Sequence, residues 1–134
     1  MENKLQALVA LIRKQFPDVI AIYRFGSWGT PAQHSGSDLD VAVLPVEPLT
    51  QELRWDLAQQ LASLCGIDVD LVDLRTANTV IRSQIVTEGE RLFCRDPQAC
   101  ASFENYVYVA YARLNEERRA ILNDIKARGS VYGE

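Results

Sequence analysis

Three short apolar runs, Val19 to Phe25, Asp38 to Leu44 and Ile67 to Leu74, lie between turn-forming residues: Pro17 and Gly26, Ser37 and Pro45, Gly66 and Asn78. Runs of this length, rich in β-branched residues and closed by such breakers, form strands. The segments around them repeat at helical spacing. Leu5, Leu8, Val9, Ile12 and Phe16 predict an amphipathic helix from about Glu2 to Gln15, stopped by Pro17. Thr50 can cap a helix carrying Leu53, Leu57, Leu61 and Leu64 that ends at Gly66. After the third strand, Thr76 or Asn78 caps a short helix through Val80, Ile81, Ile85 and Val86 that ends at Gly89, and Arg91 to Cys94 adds a short edge strand. Asp96-Pro97 opens the last helix, in which Phe103, Tyr106, Val107, Ala110, Tyr111, Leu114, Ile121 and Ile125 keep the period up to Gly129. This alternation predicts an α/β (α+β) fold: a small mixed β-sheet of three to four strands covered by helices.

At 134 residues the chain fits one domain, 1–134, with a core over 1–95 and a C-terminal helix over about 97–128. A continuous helix there would be about 45 Å long at ~1.5 Å per residue, more than so small a core covers. Either part of its apolar stripe meets another chain, or the helix breaks and folds back on the sheet. No run of apolar residues is long enough to span a membrane, and the Met1-Glu2-Asn3-Lys4 start leads into a patterned helix rather than a signal peptide. Cys65, Cys94 and Cys100 form no Cys-x-x-Cys pair, and His34 is the single histidine, so zinc-ligand spacings are missing. Reduced thiols and a cytoplasmic location are expected.

The charge is unevenly placed. The net charge is −4, yet residues 36–73 alone carry eight acidic groups against one basic. The total disfavours direct binding to nucleic-acid phosphates. The acidic stretch is either a solvated surface or, if its carboxylates converge, a cation site.

Asp38 and Asp40 sit two apart on a strand, so both side chains leave the same face. Two carboxylates so close repel unless a cation lies between them, and a hard ion such as Mg²⁺ takes oxygen ligands while keeping waters and substrate phosphates as partners. Gly26-Ser27 follows the first strand at a sharp turn, where glycine lets backbone N–H groups approach a polyphosphate and the serine hydroxyl can bond its oxygen. An ordinary turn with a serine cap would read the same way. In the third strand Asp68, Asp70 and Val72 oppose an apolar face of Ile67, Val69 and Leu71. Asp70, read as mid-strand, makes a better third carboxylate than the more terminal Asp68 or Asp73.

Gly26-Ser27, ten intervening residues and Asp38-Leu39-Asp40 resemble the Gly-Ser-x10-Asp-x-Asp signature of the polymerase β-like nucleotidyltransferase superfamily. Val69-Asp70-Leu71-Val72 is similar to the strand bearing that superfamily's third carboxylate. The short chain most resembles the minimal nucleotidyltransferases (MNT), antitoxins paired with HEPN-domain ribonuclease toxins. The resemblance implies a nucleotidyltransferase fold and a Mg²⁺-dependent protein adenylyltransferase that uses ATP and probes no nucleic acid or membrane. Asp38, Asp40 and Asp70 would hold two Mg²⁺ ions, Gly26 and Ser27 would cradle the nucleotide, and the acceptor would be a tyrosine hydroxyl of a cognate HEPN toxin in a hetero-oligomer. Two alternatives stand beside it: nucleotide transfer to a small hydroxylated molecule, as in aminoglycoside nucleotidyltransferases, and neutralisation of the toxin by binding alone. Where many minimal members continue Gly-Ser-x-Ala-Arg-Gly, this chain reads Gly26-Ser27-Trp28-Gly29-Thr30-Pro31. Arg24, Arg75 and Arg82 are candidates for the missing triphosphate cation, and Trp28 for a base-stacking or lid residue.

Overall fold

The computed structural model describes residues 2–26 and 38–128. Helix α1 (Glu2–Gln15) leads into β1 (Ala21–Phe25) and β2 (Leu39–Leu44), and α2 (Gln51–Cys65) connects β2 to β3 (Val69–Asp73). Helix α3 (Thr79–Glu88), β4 (Glu90–Cys94) and α4 (Pro97–Ala127) complete the order. The four strands form one mixed sheet in the order β3-β2-β1-β4. Strand β1 is antiparallel to both β2 and β4, and β3 runs parallel to β2. The edge strand read from Arg91 to Cys94 is therefore a full ladder partner of β1 on the side away from β2.

The two-residue period of the strands sorts their side chains between two cores. Ile22, Leu39, Val41, Val43 and Leu71 pack on one face against Leu8 and Ile12 of α1 and Leu57, Leu61 and Cys65 of α2. Ala21, Tyr23, Ala42 and Leu44 pack on the other, with Leu74, Ile85 of α3 and Cys100 of α4. Asp40 shares the parity of Ala42 and Leu44, so it belongs to the α3/α4 face, near the end of the sheet where β1 finishes and β2 and β3 begin.

Local chemistry sets the helix ends. Thr50 Oγ1 accepts the Leu53 N–H at 3.1 Å, and Gly66, at φ 74°, closes α2 in the left-handed conformation that glycine adopts without strain. Of the two caps considered for α3, Asn78 does the work, its Oδ1 accepting the Ile81 N–H at 2.8 Å. Asp96 Oδ1 accepts the N–H groups of Gln98 and Ala99, and Pro97 stands in the first turn of α4.

Helix α4 is continuous over 31 residues, about 46 Å at ~1.5 Å per residue. It does not fold back. Its first half is tied down by buried Cys100 and Val107 and by Glu104, whose Oε2 accepts the Tyr23 hydroxyl at 2.8 Å and pairs with Arg91 at 3.0 Å. Burial and that carboxylate raise the Tyr23 pKa and keep its hydroxyl a donor. Farther along, Ile121 and Leu122 remain exposed. Cys94 and Cys100 bring their Sγ atoms to 2.7 Å, a proximity that a search for Cys-x-x-Cys spacing passes over because it arises between a strand end and the next helix's first turns.

Candidate active site

The parallel β2–β3 register pairs Asp40 with Asp70, and the antiparallel β1–β2 register pairs Asp40 with Phe25. Neighbouring strands lie ~4.8 Å apart, so the two carboxylates leave adjacent positions on one face. Asp38 immediately precedes β2, two residues from Asp40. Asp40 is half-buried, whereas Asp38 and Asp70 are exposed. Burial raises the Asp40 pKa above the ordinary carboxylate value, and the charges of Asp70 and then Asp38 raise it further. The three acids thus form one electrostatic unit.

Gly26 completes the geometry. Its φ is +81°, and a Cβ placed there would collide with Asp40 Oδ2. The Asp40 carboxyl occupies the space that any other residue's side chain would need. The Gly26 that follows β1 and the Asp40 of β2 are therefore one packing unit, joined across the sheet although fourteen positions separate them in the chain. Ser27, Trp28 and His34 lie outside the described residues.

Asp70 differs from the mid-strand acid that the sequence suggested: it is the second residue of β3 and exposed, so its charge is hydrated rather than stranded. Asp68 precedes β3, and its carbonyl accepts the Leu39 N–H at 3.0 Å. Asp73 is the buried acid of the strand, 3% exposed, and its two oxygens accept the N–H groups of Leu49 at 2.7 Å and Arg75 at 2.8 Å. It holds the β2–α2 connection to the end of β3.

None of the three arginines considered for the triphosphate is placed with the carboxylates. Arg24 shares the parity of Ile22, so it leaves the opposite face of β1, where Nε lies 3.7 Å from Glu90. Arg75 donates to the Pro45 carbonyl at 2.7 Å, and Arg82 donates to those of Leu74 and Arg75 at 2.8 Å each. Pro45 is five residues along the chain from Asp40, roughly 17 Å at ~3.3 Å per residue. Both guanidinium groups are engaged with backbone at the far end of the sheet.

Sequence reasoning missed Arg54 and Trp55. They stand on α2 beside a cavity of about 620 Å³ that Val69, Asp70 and Leu71 close on the other side. The available signal was that Trp55 falls off the stripe of Leu53, Leu57, Leu61 and Leu64, where a large aromatic has no core to join; it is 64% exposed. Among the described residues, no three acidic, cysteine or histidine side chains form a closed metal-ligating group. The acidic trio is open. Its all-oxygen donor set still suits a hard divalent ion that keeps water and phosphate among its ligands.

A family model described as "Polymerase beta, Nucleotidyltransferase" matches residues 6–98. A curated relative, the protein adenylyltransferase MntA of Shewanella oneidensis, is 43% identical over 126 residues, covering 94% of this chain and 88% of its own. A crystal structure described as a toxin-antitoxin with AMP-PNP superposes with a TM-score of 0.80 at 42% identity, covering 93% of this chain and 98% of the other. A structure of tri-AMPylated Shewanella oneidensis HEPN toxin in complex with MNT antitoxin gives a TM-score of 0.78 at 38% identity, with the same two coverages of 93% and 98%.

Proposed function

The chain belongs to the polymerase beta nucleotidyltransferase family, and on that premise we propose that it is a protein adenylyltransferase. It transfers AMP from ATP to a tyrosine hydroxyl of a cognate HEPN toxin, with which it forms a hetero-oligomer, and so acts as the antitoxin. The reading rests on the in-register Asp40–Asp70 pair with Asp38 beside it, in a chain 43% identical to a protein adenylyltransferase. No helix among the described residues is long and apolar enough to cross a membrane, and a cytoplasmic partner suits a chain with free Cys65, Cys94 and Cys100.

Asp38, Asp40 and Asp70 are the residues that would hold Mg²⁺, and Gly26 with Ser27 would receive the triphosphate. Bound magnesium supplies positive charge against the phosphates and the three carboxylates. Asp70, exposed at the margin of the trio, faces the acceptor and takes the proton of its hydroxyl. The tyrosine oxygen attacks the α-phosphorus, the bond to the β-phosphate breaks, and pyrophosphate leaves. Gly26 keeps the Asp40 carboxyl close to the turn, so that nucleotide and acid meet without rearrangement.

The test is incubation of the protein with ATP, Mg²⁺ and purified HEPN toxin. The toxin is expected to gain AMP mass increments on tyrosine as its ribonuclease activity disappears. An unmodified yet fully inhibited toxin would show that the protein acts by binding alone.

The raised Asp40 pKa also fixes a pH dependence. The ligand-free fold favours the protonated acid, so this stabilising contribution is complete below the unfolded-state value of about 3.9 and is lost as pH rises through the higher folded value. Magnesium nucleotide binding needs the ionised acid and runs the other way. Calorimetry at stepped pH is expected to show Mg²⁺-ATP affinity weakening toward acid, with proton release on binding growing in the same direction. A flat profile would uncouple Asp40 from the nucleotide.

A further inference from the structure

We propose that Cys94 and Cys100 are a site of reversible oxidation: a dithiol that a hydroperoxide closes to a disulfide, which then staples the start of α4 to the edge of the sheet. The inference is independent of the adenylyltransferase reading and concerns residues that the proposed transfer does not use.

Two elements bring these sulfurs together. Cys94 is the last residue of β4 and pairs with Ala21 of β1, and Cys100 is the fourth residue of α4. Each backbone is fixed without help from the other thiol. The Arg95 N–H donates to the Ile20 carbonyl at 2.8 Å, Asp96 caps α4, and the Cys100 N–H donates to the Asp96 carbonyl at 3.0 Å. The Cys100 Sγ also lies 3.7 Å from that Ile20 carbonyl. Both cysteines therefore stand over the same stretch of β1, with their Sγ atoms 2.7 Å apart. Thiols held in contact by fixed backbones bridge through rotation of their side chains alone.

The two sulfurs differ in access. Cys94 is half-buried and Cys100 is buried, so an oxidant meets Cys94 first. Burial and the neighbouring Cys94 push the Cys100 thiol up to about 12, which keeps it protonated and suits the resolving partner rather than the attacking one. Cys65 is the contrast within the same chain. It packs in the other core with Leu57 and Leu61, and burial raises its pKa as well. Buried thiols of that kind are inert.

Hydrogen peroxide balances the reaction. The Cys94 thiolate attacks one peroxide oxygen, the O–O bond breaks, and Cys94 becomes a sulfenic acid as the first water leaves with the proton Cys94 gave up. The Cys100 sulfur then attacks the Cys94 sulfur, the S–O bond breaks, and the departing hydroxide takes the Cys100 proton as the second water. Two thiols lose two electrons and two protons, and the peroxide gains both. Two free thiols are the resting form, and a dithiol reductant restores it by exchange.

The bond changes what holds α4. With free thiols, its start is kept on the sheet by the Asp96 cap and by apolar burial of Cys100. One turn farther along, Glu104 holds the Tyr23 hydroxyl and Arg91. A covalent bridge across the β4–α4 corner removes open conformations in which Glu104 leaves those partners.

The full-length reduced protein, treated with one equivalent of hydrogen peroxide, tests this. A loss of about 2 Da for the two hydrogens is expected, reversed by dithiothreitol. Trypsin cuts after Arg91 and Arg95, so the two cysteines fall in separate peptides, 92–95 and 96–113, which only the disulfide joins. That joined pair is expected from wild type and from Cys65→Ala, and it is expected to be missing from Cys94→Ser. In Cys100→Ser, a sulfenic acid trapped by dimedone at Cys94 is expected instead. The oxidised wild type is expected to melt about 5 °C higher than the reduced form, with the Glu104 amide exchanging at least tenfold more slowly. A disulfide that includes Cys65, a bridge between two chains, or sulfinic acid at Cys94 beside an unreacted Cys100 overturns the pairing, and the peptide map reads this on wild type even if a variant fails to fold. A closed bond with neither a higher melting temperature nor slower exchange overturns the staple.

Discussion

Asp40→Asn is expected to lower AMP transfer by roughly 10³-fold while the ligand-free protein melts slightly higher than wild type. The first effect follows from losing the charge at the centre of the trio proposed to hold Mg²⁺, where a positioned charge acts in a partly water-excluded site. The second follows from what the same charge costs the fold. Asp40 is half-buried and its ionisation is opposed by burial and by Asp70 and Asp38, so a neutral amide of the same shape relieves the folded state at pH 7 and leaves the hydrated unfolded chain unchanged. A melting curve and an AMP-transfer assay on one preparation check both. Retention of activity within tenfold would remove Asp40 from the site, and a lower melting temperature would mean that its carboxylate makes a favourable contact the present geometry does not show.

Gly26→Ala carries the second large effect. At φ +81° an alanine costs ~1–2 kcal/mol in backbone strain alone. Its methyl group would also occupy the position of the Asp40 carboxyl, so the acid must rotate away or the turn must open. Stability is expected to fall by about 1–3 kcal/mol in chemical denaturation. AMP transfer is expected to fall by roughly 10²-fold, the scale of a displacement of about 1 Å at a reacting group. The double variant with Asp40→Asn distinguishes strain from displacement: if Gly26 acts on catalysis through Asp40, it is no less active than Asp40→Asn alone.

Much of this was legible before any coordinates. Proline and glycine breaks bounded strands and helices to within a few residues, and Asp96-Pro97 marked the start of α4 because cap and first-turn chemistry are local. The site was half legible. Two-residue spacing put Asp38 and Asp40 on one face, and the pairing of Asp40 with Asp70 matches what a third carboxylate on the next strand implied. The packing of Gly26 on Asp40 was not legible, because spacing says nothing about how closely two strands' ends approach. The arginines escaped for a related reason: Arg75 and Arg82 are committed to carbonyls at the far end of the sheet, a fact of tertiary hydrogen bonding. Asp73 looks like Asp70 in the sequence and differs only in which face of β3 it leaves, where two backbone N–H groups meet it. Arg54 and Trp55 were hidden because a helix stripe reports what is buried and leaves its other faces unlabelled.

The uneven support of α4 gives the molecule a gradient of cooperativity. Its first half joins the core of the sheet through Cys100 and Phe103 and is buried again at Val107, whereas from Glu116 to Ala127 only Ile125 is even partly covered. A helical stretch of that length is marginal in water by itself. Its amides open by local fraying, with free energies that decline along the axis, while those near Val107 open only when the sheet does. The last three turns therefore behave as a separate thermodynamic unit, melting ahead of the body and contributing little to the main unfolding transition.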